Sequence, residues 1–151
     1  MKNFETIEEL LNFAIGEEEK AAAFYKDLAA KMERRWMKEV FQQFSREEEG
    51  HKAKLLKIKT GDLPPPPLQK VIDLKIGDYL TNVELSAEMD YQEALIVAMK
   101  KEKEAFRMYT DLASVADDDR VRDLLLSLAQ EEAKHKLRFE VEYDDVILKE
   151  N

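Results

Sequence analysis

Slid 84 residues along itself, the chain matches its own second half without a gap. Ala14 falls on Ala98, Glu18 on Glu102, Ala21 on Ala105 and Tyr25 on Tyr109, and Asp27-Leu28-Ala29 falls on Asp111-Leu112-Ala113. Further on, Glu47-Glu48 falls on Glu131-Glu132, and His51-Lys52 on His135-Lys136. Eleven of the 43 positions from 14 to 56 are identical to their counterparts. A chain that repeats itself this way is built from two copies of one supersecondary unit. Within each copy apolar residues return every three or four positions, which is the helical period. The fold this implies is all-α, two helical hairpins joined into one four-helix bundle over residues 1–151.

Thr6-Ile7-Glu8-Glu9 reads as a capping box at the start of the first helix. Its inner stripe is Ile7, Leu11, Ala14, Glu18, Ala21, Tyr25 and Leu28. A break between Lys31 and Arg35 leads to a second helix striped by Met37, Val40, Phe44, Glu48, His51, Leu55 and Ile58. Thr60-Gly61-Asp62 stops it, and Pro64 to Pro67 forbid helix and favour extended backbone. The third helix is expected to begin between Thr81 and Ser86, with the stripe Tyr91, Leu95, Ala98, Glu102, Ala105, Tyr109 and Leu112. Asp117-Asp118-Asp119 supplies an N-cap and first-turn negative charge for the fourth. That helix carries Val121, Leu125, Leu128, Glu132, His135 and Phe139 on one face.

The hairpins therefore span about 6–59 and 86–145, with a connection over 60–81. That connection is long for a compact domain. Leu68, Val71, Ile72, Leu74, Ile76, Tyr79 and Leu80 give it apolar surface to bury, so it reads as a strap crossing the bundle rather than a hinge between domains. The pattern leaves open whether the last ten residues, from Glu142, dock or fray.

Six polar residues interrupt the apolar stripes at matching depths: Glu18, Glu48, His51, Glu102, Glu132 and His135. Each half offers one Glu and then, 30 residues on, Glu-x-x-His. Residues three apart share a helix face, so Glu48 points with His51 and Glu132 with His135. A pseudo-two-fold pairing of the hairpins brings all six toward one point. Glu makes up 21 of 151 residues, so finding it three positions before both histidines has a chance of about 2%, the square of 21/151. A solvated face rich in Glu would not repeat the motif at core positions in both halves.

Four buried carboxylates cannot remain charged and unpartnered, since each would cost several kcal/mol. Lys and Arg are scarce on these stripes. Two divalent cations supply four positive charges, and two neutral imidazoles complete the ligand set. Carboxylate with imidazole suits iron, manganese or zinc. Tyr25 and Tyr109, two turns beyond Glu18 and Glu102, are either ordinary core tyrosines or hydrogen-bond donors to ligating carboxylates. Glu17, Glu19, Glu47, Glu49 and Glu131 fall off the stripe and read as solvated face, with Glu47 and Glu131 the nearest to a role at the site. Trp36, Phe41 and the six Met read as packing.

Composition removes other classes. The chain has no cysteine, which excludes disulfides, thiolate zinc sites, iron–sulfur clusters and a rubredoxin-type iron site within it. The net charge of −9 opposes nucleic-acid binding, which needs clustered Lys and Arg. No apolar run approaches a membrane span, and Met1-Lys2-Asn3-Phe4-Glu5 has no secretory h-region, so a cytoplasmic location is expected.

At Glu18 with Tyr25, Glu48-Glu49-Gly50-His51, Glu102 with Tyr109, and Glu132-Ala133-Lys134-His135, the sequence resembles the ferritin-like superfamily, and within it the rubrerythrin di-iron domain. The resemblance runs from about Ile7 to Phe139. It implies a ferritin-like four-helix bundle with a long crossover, Glu48 and Glu132 bridging two irons, Glu18 and Glu102 as terminal ligands, and one histidine on each iron. It also implies an electron donor such as a rubredoxin-like protein, here a separate one, and a homodimer or higher homo-oligomer. Two departures stand out. No cysteine-bearing rubredoxin domain follows, and the extra Glu that many rubrerythrins place one turn after the third-helix ligand is replaced by Ala105 and Phe106. Peroxidase chemistry by that Glu's route is therefore not supported. Glu49 stands where bacterioferritin-like proteins place a haem-binding Met, so no haem is indicated. The resemblance leaves three functions open: reduction of hydrogen peroxide or dioxygen, oxidation and handling of iron as substrate, or a structural metal site.

Overall fold

Three of the four helices among the described residues start where a side chain takes up a free backbone N–H, and the second, after Arg34, has no such cap. The computed structural model describes residues 4–61, 85 and 88–148. It contains four helices of 25 residues: α1, Ile7–Lys31; α2, Arg35–Lys59; α3, Tyr91–Val115; and α4, Asp119–Tyr143. At 1.5 Å per residue each is about 37 Å long. Thr6 caps α1 by accepting from the Glu9 N–H at 3.1 Å. The box is only half formed, because the Glu9 carboxylate accepts from the Glu5 N–H at 2.9 Å instead of reaching Thr6. Asp118 caps α4 by accepting from the Arg120 and Val121 N–H groups. At the end of α2, Gly61 takes φ +82°, the left-handed conformation that glycine adopts most readily past a helix terminus, and its N–H donates to the Ile58 carbonyl.

The start of α3 corrects the expectation. It lies at Tyr91 rather than between 81 and 86, because Asp90 and Glu93 form a complete capping box there. The expected strap over 60–81 lies outside the described residues beyond Gly61. The described part of the C-terminal segment docks: one π-helical turn, Asp144–Leu148, follows α4, and Val146 and Ile147 pack on the core.

Three-residue connections fold α1 against α2 and α3 against α4 as two hairpins, and contacts between α1 and α3 and between α2 and α4 join them. This is the ferritin-like arrangement of four helices. No helix among the described residues is long and apolar enough to cross a membrane. The core has two apolar parts. One is rich in rings, with Tyr25, Phe41, Phe44, Tyr91, Phe139 and Tyr143. The other is largely aliphatic, with Leu10, Leu11, Leu55, Leu112, Leu124, Leu125 and Leu128 around Tyr109. Each fully buried side chain of this size contributes about 1.5–3 kcal/mol. The six polar stripe residues form a belt between the two.

Candidate metal centre

The belt is drier than an ordinary polar layer. Glu18, Glu48, His51, Glu102, Glu132 and His135 are all between 0% and 4% exposed. One comes from α1, two from α2, one from α3 and two from α4, so all six residues read from the repeat converge.

The pairing crosses the bundle. His51 Nδ1 on α2 lies 2.8 Å from Glu132 Oε1 on α4, and 3.6 Å from both Glu18 and Glu48. His135 Nδ1 on α4 lies 3.1 Å from Glu48 Oε1 on α2, 3.5 Å from Glu102 and 3.9 Å from Glu132. The two imidazoles stack with centroids 5.4 Å apart and planes 7° from parallel. Ligand atoms of Glu18, Glu48, His51 and Glu132 lie within 4.8 Å of one another, as do those of Glu48, Glu102, Glu132 and His135. Glu48 and Glu132 belong to both groups.

Many of these atoms have no hydrogen-bond partner. Glu18 Oε2, Glu48 Oε1, Glu102 Oε2, both Glu132 oxygens and Nδ1 of both histidines are buried without one. Native interiors leave few such groups, and these Glu and His side chains could hold a metal ion. The charge balance agrees. Burial, with the Glu48 charge adding to it, pushes Glu18 up to about 7 against the opposing pull of His51 and Tyr109. Burial and the surrounding carboxylates of Glu102, Glu48 and Glu18 hold Glu132 well above the ordinary carboxylate range. Burial works against charging either histidine. Glu18 and Glu48 nevertheless raise His51, and Glu102, Glu47 and Glu48 raise His135 further.

The tyrosines settle the choice left by the sequence. Tyr25 Oη on α1 donates to Glu102 Oε1 on α3, and Tyr109 Oη on α3 donates to Glu18 Oε1 on α1. Each phenol serves the carboxylate of the other half, not the one on its own helix. Burial and then the nearest Glu push both phenols well above their ordinary range, so they stay protonated and keep donating.

Glu47 has a role and Glu131 does not match it. Glu47 Oε1 lies 3.5 Å from His135 Nε2, on the side of the ring away from the cluster. Arg138 Nη1 donates to both Glu47 oxygens at 2.9 and 2.8 Å. Burial would raise Glu47, but His135 and Arg138 outweigh it and hold the carboxyl at about 2. Arg138 also lies over the Phe44 ring, 4.3 Å from its centroid, and Phe44 meets the His135 ring edge-on at 5.0 Å. Sequence reasoning passed over Arg138, although its place three residues after His135, on the same helix face, was the available signal.

A cleft of about 240 Å³ opens between α1 and α3 and reaches Glu18 and Glu48. Ala105 lines it beside Glu17, Lys101 and Glu104. The small side chain of Ala105 thus leaves open space next to the belt.

Residues 9–143 match the family model of rubrerythrin. The chain belongs to the rubrerythrin family. Among solved structures, it is similar to a hypothetical protein from Pyrococcus furiosus, at 28% identity and a TM-score of 0.63, over 93% of this chain and 89% of that one. It is also similar to an uncharacterized conserved protein from Magnetospirillum magnetotacticum, at 25% identity and a TM-score of 0.70, over 93% and 95% of the two chains. No curated protein matches it. As a rubrerythrin-family bundle, the chain carries a buried Glu/His cluster compatible with a di-iron site.

Proposed function

We propose that this protein is a non-haem di-iron carboxylate oxidoreductase that reduces hydrogen peroxide or dioxygen with electrons from a separate donor. The observation that carries the reading is the belt itself: four buried carboxylates and two imidazoles whose inward atoms lack hydrogen-bond partners. That donor set fits two divalent cations, with Glu48 and Glu132 shared between them, Glu18 and His51 on one, and Glu102 and His135 on the other. When bound, two ferrous ions supply one electron each, enough with two protons to reduce one hydrogen peroxide to two waters.

The chain's own groups do the rest. Tyr25 and Tyr109 hold Glu102 and Glu18 in orientation, and Glu47 faces the outer nitrogen of His135. The two apolar parts of the core keep bulk water from the belt, while the cleft beside Ala105 admits a small oxidant. The 151 residues contain no cysteine to hold a rubredoxin-type iron, and the proposed donor is a rubredoxin-like one-electron carrier by family analogy. The working unit is a cytoplasmic homodimer or higher homo-oligomer.

A second reading draws on the cleft. Glu17 and Glu104 beside it suit passage of a cation, and in that case ferrous iron is the substrate and leaves as ferric ion. The test is to reoxidise the anaerobic ferrous-loaded protein with hydrogen peroxide and with dioxygen in parallel. Fast reaction with one oxidant and repeated turnover with an added reductant support the oxidoreductase. Ferric mineral accumulating on the protein supports iron handling. Manganese or zinc at full occupancy in protein from its native source, inert to both oxidants, contradicts both.

A further inference from the structure

The duplication makes the two halves of the belt look interchangeable, yet the groups behind the two histidines differ. His135 has two neighbours outside the belt, Glu47 and Phe44, and the Glu47 contact is an ion pair rather than a hydrogen bond. Glu47 stands 3.5 Å from its outer nitrogen, Arg138 fixes Glu47 through both oxygens, and Phe44 packs edge-on against the ring. The repeat turns each of these into something else around His51. The counterpart of Glu47 is Glu131, which pairs at 3.4 Å with Lys134 on its own helix; among the described residues it makes no contact with His51 like that of Glu47 with His135. The counterpart of Arg138 is Lys54, and that of Phe44 is Leu128.

The cleft adds an independent asymmetry. It is lined by Glu18, which groups with His51 alone, and by the shared Glu48, and it touches neither Glu102 nor His135. One half of the belt thus has a carboxylate behind its histidine, and the other lacks one and borders the cleft. A histidine ligand whose far nitrogen faces a fixed carboxylate is more basic and pays less in orientation when it binds a metal. Losing such a partner typically weakens a site by about 10–100-fold.

We infer that the two metal positions are unequal: the Glu102–His135 position fills first, and the Glu18–His51 position is the exchangeable one. The inference rests on the belt being a two-metal site, and it concerns which of this chain's residues set the order. Glu47 and Arg138 are positioning residues in it, since neither belongs to the converging ligand groups.

The chain has only two histidines, which makes the order directly observable. The metal-free protein, labelled with ¹⁵N-histidine, is titrated with Zn²⁺ as a diamagnetic probe, and the ring nitrogens are followed by NMR, with His51→Gln giving the assignment. At one equivalent of Zn²⁺, the His135 Nδ1 signal is expected at its bound position while that of His51 remains at its free position. Glu47→Gln should weaken the first step about 10–100-fold and make the two rings shift together. Glu131→Gln, the matched change in the other half, should leave the order intact. Rings that shift in step in the unaltered protein, or His51 shifting first, would overturn the inference. So would Glu47→Gln and Glu131→Gln changing the order equally. Those outcomes leave the metal site standing, whereas no shift in either ring removes the metal reading and this inference with it.

Discussion

The two ends of the bundle core descend from the same repeat but are packed with different materials. Phe41, Phe44 and Phe139 at one end correspond to Leu125, Leu128 and Leu55 at the other. Phe44 and Phe139 stack with centroids 4.0 Å apart, and Tyr25 lies within 5.8 Å of Phe139. Between these ends the six belt residues and both tyrosines are the same in the two copies. The contrast separates two kinds of constraint. Apolar filling requires volume and shape, which several residue combinations satisfy. The belt repeats the same donor atoms at the same depths in both halves.

The sharpest break in this comparison comes from emptying each end. Phe139→Ala should cost about 3–5 kcal/mol, and Leu55→Ala about 2–5 kcal/mol with the lower half expected, because the aromatic end loses ring contacts as well as volume. Urea unfolding of both variants measures the difference, and equal losses would show that the rings act as filler only. Next come the tyrosines, which make matching bonds in different packing. Tyr25→Phe and Tyr109→Phe should each cost about 1.5–3 kcal/mol by removing a buried hydrogen bond to a carboxylate, with closely similar values despite their different surroundings.

The belt should respond to pH in the opposite sense to the ion pair behind it. In the metal-free protein Glu18 is raised from 4.5 to about 7, and Glu132 and both histidines are raised as well. Each such group contributes its stability fully below its unfolded value and loses it as pH rises through the folded value. Glu47, lowered to about 2, contributes above 4.5 and loses its contribution as pH falls toward 2. Metal-free Tm should therefore fall as pH rises between about pH 5 and about pH 8. Saturating metal should reverse the trend, because the ligands bind deprotonated. Calorimetry in both states checks the sign. The smallest effect belongs to Phe44→Leu, which copies the residue of the other half at a cost of about 1 kcal/mol.

Most of the fold was legible because the repeat and the helical period are long-range patterns that reinforce each other. Helix ends read from local signals fared unevenly. Asp118 caps α4 as its Asp run suggested, but α3 starts at Tyr91, later than the 81–86 expected of it. Asp90 with Glu93 was the better signal, since a capping box fixes two backbone N–H groups at one residue. The six belt residues were legible from depth and spacing alone. The crossing of Tyr25 to Glu102 and Tyr109 to Glu18 was not, since it depends on how the hairpins face each other. The Arg138–Glu47 pair was hidden for the same reason, lying on different helices 91 residues apart.

The central claim is that the belt exists to hold two cations. Metal analysis of the protein from its native source tests it most directly, set beside the Glu48→Ala plus Glu132→Ala variant, which removes the two carboxylates shared by both ligand groups. Two divalent ions per chain, lost in the double variant with the helical fold retained, is the result expected of this donor set. Fewer than about one ion per chain, unchanged by the double substitution, would contradict it.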